Sequence, residues 1–222
     1  MRIFKFADRS KTGLVPLFPL PEMTLLPGEL FSLYVFEPRY RALLADARDR
    51  EGLIGMARFQ AGWEDEYYGN PLVHPCLGVG RIESCHERPD GSSDVVLRGM
   101  ARVRLLEIVR EMPYRLARVD DLPESVSCEE RLERTLVDLE RRLEARPFGP
   151  GGPSDLLARD GALEELAGRL TGVMRFGADI KQRILEADDV VERIGLVCES
   201  LGARLGRDRV ARMLTGSSSG RN

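Results

Sequence analysis

The sequence predicts an α+β protein in which a small, partly closed β-barrel with one early helix precedes an α-helical bundle. Short apolar segments separated by turn signals fill residues 14–120, a pattern typical of barrels. Beyond Pro123, apolar residues recur every three or four positions between arginines and glutamates, which indicates amphipathic helices. We therefore predict a β-rich part over residues 1–122 and a helical part over residues 123–222.

The early helix is predicted from a change of period within residues 30–47. Residues 30–36 are aromatic and apolar, which favours a strand. The positions i, i+3, i+4 and i+7 that follow form one apolar helix face: Tyr40, Leu43, Leu44 and Ala47. Pro38 suits the first helical position, where a missing N–H has no effect. Glu37 is expected to accept hydrogen bonds from the free amides of that first turn.

Turn residues and breaks in alternation predict how the other strands are arranged. Residues 76–88 and 93–109 are expected to form a hairpin through the Pro-Asp-Gly-Ser turn at 89–92. Gly78 and Gly80 indicate a bulge or a close backbone approach, and a slip of the apolar phase after Leu105 indicates another bulge. Prolines within residues 14–20 predict an edge position or bulges for the first strand.

The helical part is predicted from three apolar stripes that must pack against one another. They comprise Leu132, Leu136, Leu139 and Leu143; Leu163, Leu166, Leu170, Val173 and Met174; and Val190, Ile194, Val197, Leu201 and Leu205. Asp179 with Gln182 and Asp189 with Glu192 fit capping boxes. Residues 147–153, rich in proline and glycine, predict a flexible loop, residues 1–13 a loose leader, and residues 215–222 a polar tail.

Composition excludes several classes of function. The chain has 222 residues, 43% of them hydrophobic and 31% charged, as in ordinary globular proteins. A net charge of −3 gives no global attraction to nucleic acid or anionic lipid. No apolar run approaches the ~20 residues of a membrane span, and the start lacks the apolar core of a signal peptide. We therefore expect a cytoplasmic protein.

The motifs of catalysis and of cofactor binding are missing from the sequence. There is no phosphate loop ending in Gly-Lys-Ser/Thr and no Gly-x-Ser-x-Gly elbow, so we expect neither an enzyme nor a cofactor. His74, Cys76, Cys85 and His86 offer zinc-ligand side chains. However, neighbours such as Cys85 and His86 point to opposite faces of a strand, so free thiols and no metal are favoured.

Three motifs in fixed order carry a resemblance to a known family. Residues 14–20 (LVPLFPL), 26–28 (LPG) and 36–40 (FEPRY) resemble the opening of the Lon protease N-terminal, substrate-recognition domain. Residues 95–104 and 181–193 resemble later parts of that domain. The resemblance implies a PUA-like β pseudo-barrel followed by helices, without the ATPase and peptidase modules. It also implies a non-catalytic module that binds exposed or unfolded protein segments, as a recognition or adaptor protein for proteolysis.

The apolar groove that such binding requires is expected between the barrel and the first helix. The candidate contacts are Phe31, Phe36, Glu37, Arg39, Tyr40, Trp63, Tyr67 and Tyr68. Some of these side chains have an alternative role that stabilises the fold and does not involve a ligand. The turn at Glu37 and Arg39 can simply lock strand to helix through an internal ion pair, and Trp63 with the tyrosines can tether the long loop over residues 60–74.

Two other functions remain open from the sequence. PUA-like barrels include RNA-binding proteins, and the arginines of one strand, Arg98, Arg102 and Arg104, would supply a basic surface. The negative net charge argues against this alternative. A small-ligand site or an unknown enzyme in the cleft between barrel and helices is the third possibility.

Overall fold

The computed structural model describes residues 13–66, 69–144 and 163–216, with the side chains of the last helix described to residue 203. The strands are β1 (Leu14–Leu20), β2 (Leu30–Val35), β3 (Leu53–Arg58), β4 (Cys76–Glu87), β5 (Ser93–Arg110) and β6 (Leu116–Asp121). The helices are α1 (Pro38–Arg48), α2 (Glu129–Glu144), α3 (Leu163–Met174), α4 (Ala178–Glu186) and α5 (Val190–Gly216). A short 3-10 turn covers Trp63–Glu66 in the loop between β3 and β4.

The strands close into a barrel because β5 is long enough to serve two neighbours on one side. The strand order is β2-β5-β4-β3-β1-β6, and β5 also pairs with β6. Its first part pairs with β2 over Ser93–Arg98, and its second part pairs with β6 from Val103 to Arg110. The ring of β5, β4, β3, β1 and β6 is thus complete, and β2 lies beside it. Together with the helices that follow, this confirms the predicted α+β class.

The hairpin and both bulges are confirmed. The Asp90 carboxylate accepts a 2.9 Å hydrogen bond from the Ser92 amide, which closes the turn between β4 and β5. The register of β4 on β5 shifts at Gly80, and that of β5 on β6 shifts just after Leu105. Each extra residue bends its strand and helps the sheet to curve into a barrel.

The prediction of an edge position for β1 is wrong. The first half of β1 pairs antiparallel with β6, and its second half pairs parallel with β3. Pro16 has a register partner only on β6, and Pro19 only on β3. Because each half is paired on one side, each proline sits in an edge-like environment inside a closed barrel.

Helix α1 begins at Pro38 and buries the predicted face against the end of the barrel. That face comprises Tyr40, Leu43, Leu44 and Ala47. The predicted capping role of Glu37 is wrong, because its side chain makes no capping bond and instead accepts from Arg39 Nε at 2.9 Å. The preceding strand is only half-buried, since Leu33 and Val35 face the core while Tyr34 faces solvent.

The helices form a second core that joins the barrel. Leu139, Leu170, Ile184 and Val197 come from different helices of this core, which also includes Leu26 and Cys76 of the barrel part. The strands therefore give way to helices near residue 122, and one apolar core spans that boundary. That residues 1–122 and 123–222 form two separate parts stays a prediction.

Several details of the helical part differ from expectation. Val173, predicted in the apolar stripe, is 57% exposed. Asp179 does not cap α4, because the helix begins one residue earlier after Gly177 and the Asp179 carboxylate pairs with Arg58. Asp189 does cap α5, accepting from the Val191 amide at 2.7 Å. The start of the predicted tail is helical to Gly216. The rest of that tail, the leader to residue 12, the loop 147–153 and the Leu205 side chain lie outside what is described.

The segment that connects β1 to β2 is sandwiched by the barrel and helix α3. Glycines on both sides make room for it. A β-carbon at Gly78 or Gly99 would lie 1.9 Å from the carbonyl oxygen of Leu25 or Leu26. A β-carbon at Gly168, on α3, would lie 1.9 Å from the carbonyl oxygen of Pro27. Only glycine fits such contacts, so these positions fix how closely the helical part docks on the barrel.

Buried charges also join the two parts. Arg102 on β5 donates from Nη1 to the carbonyl oxygens of Leu185 and Ala187, at 2.7 and 2.8 Å, where α4 ends. Lys181 on α4 pairs with the buried Glu29. Burial raises the pKa of Glu29, and the charge of Lys181 opposes that shift. Within the described ranges, no helix is both long and apolar enough to span a membrane.

Candidate functional site

A cavity of about 310 Å³ opens where five separate parts of the chain meet. They are the end of β1, the start of α1, the residue after β3, the loop after residue 68 and the turn between β5 and β6. The lining residues are Pro19, Arg39, Tyr40, Phe59, Gly69, Asn70, Pro71, Glu111, Met112, Pro113, Tyr114 and Arg115. The cavity lies beside the first helix, where the sequence predicted a groove.

The aromatic walls of the cavity are held by contacts with the core. The Tyr40 ring stacks on Phe18 with ring centres 4.0 Å apart, and its hydroxyl donates to the Pro19 carbonyl at 3.4 Å. Phe59 stacks on Trp63 with ring centres 5.8 Å apart. Rings fixed in this way offer apolar surface without losing side-chain freedom when a ligand binds.

A buried guanidinium holds the polar side of the cavity together. Arg115 donates from Nη1 to the Pro71 carbonyl at 2.8 Å and from Nη2 to the Asn70 side-chain oxygen at 3.3 Å. The Asn70 amide in turn donates to the Glu111 carboxylate. Burial lowers the pKa of Arg115, and the charge of Glu111 opposes that shift. This network fixes the loop after residue 68 against the β5–β6 turn.

The mouth of the cavity combines one apolar and one charged side chain. Met112 is 78% exposed at the tip of the β5–β6 turn. Arg39 lies 4.5 Å from the centre of the Tyr40 ring and pairs with Glu37. A flexible thioether adapts to apolar partners of varied shape, and a paired cation leaves the mouth without excess charge.

The structure brings only part of the predicted site together. Arg39 and Tyr40 line the cavity, and Glu37 reaches it through its ion pair with Arg39. Phe36 is 58% exposed and stacks on Tyr34, whereas Phe31 is half-buried against the barrel core.

Trp63 lies behind the cavity wall, packed on Phe59 and the barrel core. This packing favours the tether interpretation for Trp63. Tyr67 and Tyr68 lie outside the described residues. A role for any of these side chains in binding stays a prediction.

The candidate residues predicted from the sequence did not include those of the β5–β6 turn and of the loop after residue 68. They are Asn70, Glu111, Met112, Tyr114 and Arg115. Pro71 and Pro113 mark turns in the sequence, but nothing local shows that these turns meet across the barrel. Their proximity follows from the pairing of β6 with both β1 and β5.

The residues of the RNA and zinc alternatives are only partly available. Of the three arginines predicted to form a basic surface, Arg102 is buried, Arg98 is exposed but pairs with Glu83, and Arg104 is exposed. His74 contacts Glu186 at 3.0 Å, and the Cys76 thiol faces the carbonyl of Leu185 at 3.4 Å. In the parts of the chain that the structure describes, no three His, Cys, Asp or Glu side chains are grouped to hold a metal ion.

Solved structures share this fold. The N-terminal domain of a Lon protease from the Mycobacterium avium complex superimposes with a TM-score of 0.66 at 18% identity, covering 85% of this chain and 98% of that one. A Lon N-terminal domain protein from Xanthomonas campestris gives 0.59 at 23% identity, over 83% and 96% of the two chains. The barrel with a helical bundle is therefore the architecture of Lon N-terminal domains.

Sequence comparison defines the family. Lon protease 2 of Myxococcus xanthus is 29% identical over 195 residues, and Lon protease of Anaeromyxobacter dehalogenans is 26% identical over 197. Each match covers 86% of this chain but only 24% and 23% of those proteins, so the chain spans about a quarter of their length. The family model for the substrate-binding domain of ATP-dependent protease La (Lon) matches residues 14–202. This chain belongs to that family.

Proposed function

We propose that this protein binds exposed or unfolded segments of other proteins, as a non-catalytic recognition or adaptor module for proteolysis in the cytoplasm. The observation that carries the proposal is the cavity beside α1, which has fixed aromatic walls and an exposed methionine at its mouth. Membership of the Lon substrate-binding family supports the same function.

The size and chemistry of the cavity suit one large apolar side chain of a client. Its volume of about 310 Å³ is at the small end of ligand sites, which range over roughly 300–1,000 Å³. The rings of Tyr40 and Phe59 offer apolar contact, and Asn70 and Glu111 form a polar border. Folded proteins bury most large apolar side chains, so such a cavity selects chains that have lost or never formed a core.

The side chains that line the cavity favour binding, because its one carboxylate, Glu111, already accepts a hydrogen bond from Asn70. Among the described residues that line it there is no serine, threonine, cysteine, histidine or lysine. The buried Arg115 donates to the loop carbonyl and to the Asn70 side chain, so it holds the wall of the cavity together. This composition supports binding without catalysis.

A charge at the cavity mouth tests the proposal. Met112→Glu places a carboxylate where the client side chain enters, and the matched control Val137→Glu changes a side chain that is 65% exposed on α2. We expect Met112→Glu to weaken binding of a fluorescent, unstructured apolar peptide at least about tenfold in anisotropy titrations, because burial of a charge is unfavourable. Val137→Glu is expected to bind as the parent does. Equal binding by both variants would contradict the location of the site.

A further inference from the structure

Strand β2 has one free edge. It pairs with β5 through residues Leu30 to Val35. Within the described part of the chain it has no second strand neighbour, and no further backbone hydrogen bond reaches its outer side. A free edge carries a row of unpaired N–H and C=O groups, which is a template for another extended chain.

The register shows which residues offer those groups. The Gly99 amide donates to the Glu29 carbonyl at 2.8 Å, which starts the ladder between β2 and β5. In an antiparallel ladder, bonded and non-bonded pairs alternate. Leu30, Ser32 and Tyr34 are then the non-bonded positions, so their backbone groups point away from β5. All three side chains are exposed as well.

The edge also lacks the usual protection against pairing. Natural edge strands carry lysine, proline or inward-pointing charges that prevent the addition of another strand. The sequence of β2, LFSLYV, contains no charge and no proline. Exposed apolar side chains follow the edge at alternate positions, from Leu30 through Tyr34 to Phe36.

The charges on the paired side of β2 are matched. Arg88, in the turn after β4, pairs with Asp94 on β5, and Arg98 on β5 pairs with Glu83 on β4. The Arg88 guanidinium also lies 5.0 Å from the centre of the Tyr34 ring. A neutral apolar partner complements the free edge, because β2 carries no charge and exposes Leu30 and Tyr34.

We propose that β2 binds an extended, uncharged segment of a client protein as an added strand. The proposal depends on the proposed function, and it names the form in which the client is bound. Backbone bonds at Leu30, Ser32 and Tyr34 supply affinity that is independent of sequence, and alternate apolar side chains of the client pack along Tyr34 and Phe36. The strand ends next to the turn that carries Arg39, so a client on β2 runs toward the cavity mouth.

Backbone N-methylation of the peptide tests this mode directly. Two versions of one unstructured apolar peptide are made, each N-methylated at alternate positions, in complementary registers. In an added strand, the N–H groups of one register point toward β2 and those of the other point to solvent. We expect methylation in one register to weaken binding at least about tenfold and in the other to have little effect. Equal effects of the two registers would overturn the proposal.

A change in the protein provides the reciprocal test. Ser32→Pro removes one free edge N–H and no ladder bond, whereas Ser32→Thr keeps the N–H. We expect the proline variant to lose at least about tenfold in affinity and the threonine variant to bind as the parent does. A folded Ser32→Pro protein that binds normally would overturn strand addition. If the proline variant does not fold, the methylated peptides still decide.

Failure of this inference is distinguishable from failure of the proposed function. Binding that is sensitive to Met112→Glu but insensitive to both peptide registers retains the cavity and rejects the edge. Absence of binding by every peptide rejects both. Self-association that increases with concentration and is lost in Ser32→Pro would show that a second copy occupies the edge, which also overturns the proposal.

Discussion

We expect replacement of Arg102 by methionine to weaken the packing of the helical part on the barrel more than replacement of any exposed residue does. The Arg102 side chain is fully buried, and its Nη1 serves the carbonyl oxygens of Leu185 and Ala187. Its Nε donates to Glu124 at 3.2 Å, and Glu124 also pairs with Arg193. Methionine fills part of the volume and satisfies none of these acceptors.

The magnitude follows from the acceptors left behind. Each buried acceptor without a partner costs about 1–3 kcal/mol, and breaking a buried ion pair costs about 3–5 kcal/mol. Burial and the like charge of Arg102 lower the pKa of Arg193 to about 9. Removing Arg102 therefore relieves some repulsion of Arg193, which offsets part of the loss. We expect a net loss of about 3 kcal/mol in the free energy of unfolding.

Urea unfolding followed by circular dichroism measures the loss. The matched control is Arg104→Met, two positions along β5 and exposed, which is expected to change stability by less than about 0.5 kcal/mol. In native-state hydrogen exchange, the amides of α4 should lose protection first in Arg102→Met. A loss below about 1 kcal/mol, or equal losses in the two variants, would refute the role of Arg102 as the link between barrel and helices.

Two further predictions concern stability. Gly99→Ala places a β-carbon 1.9 Å from a backbone carbonyl oxygen and should lower the free energy of unfolding in urea by about 1–3 kcal/mol. The control Gly195→Ala, which has open space around it in α5, should raise that free energy by up to about 1 kcal/mol. Equal effects of the two substitutions would contradict the close approach at Gly99. Asp189→Ala should cost about 0.5–2 kcal/mol at neutral pH through loss of the α5 cap. Hydrogen bonds from Ser127 and then Val191 lower the pKa of Asp189, so its contribution is present above the unfolded pKa of about 3.9 and lost as pH falls through the native value. A pH-independent difference between parent and variant would contradict this assignment.

Local patterns were sufficient to predict most elements. The change of period at residues 30–47 located α1, and the turn at residues 89–92 located the hairpin, because both signals lie within the segments they describe. The position of β1 was predicted wrongly because strand pairing is decided by distant partners. The sequence predicted Arg102 on a basic surface of its strand, but it did not show that helices cover that side chain.

The candidate site was only partly accessible to sequence reasoning for the same reason. Arg39 and Tyr40 were found because their motif joins a strand to a helix. Asn70, Met112 and Arg115 come from distant segments that meet only after the barrel closes. Glu37 was assigned to the helix cap on position alone, whereas the nearby Arg39 guanidinium provides the partner that its carboxylate takes.

Client binding at the cavity mouth is tested most directly by the methyl resonance of Met112. Methionine methyl labelling reports Met112 at the mouth and Met56, which is buried in the barrel core, in one spectrum. On titration with an unstructured apolar peptide, we predict a saturable shift of the Met112 signal with little change at Met56. Binding of the peptide with an unperturbed Met112 resonance, or no binding at all, would contradict the proposed function of the cavity.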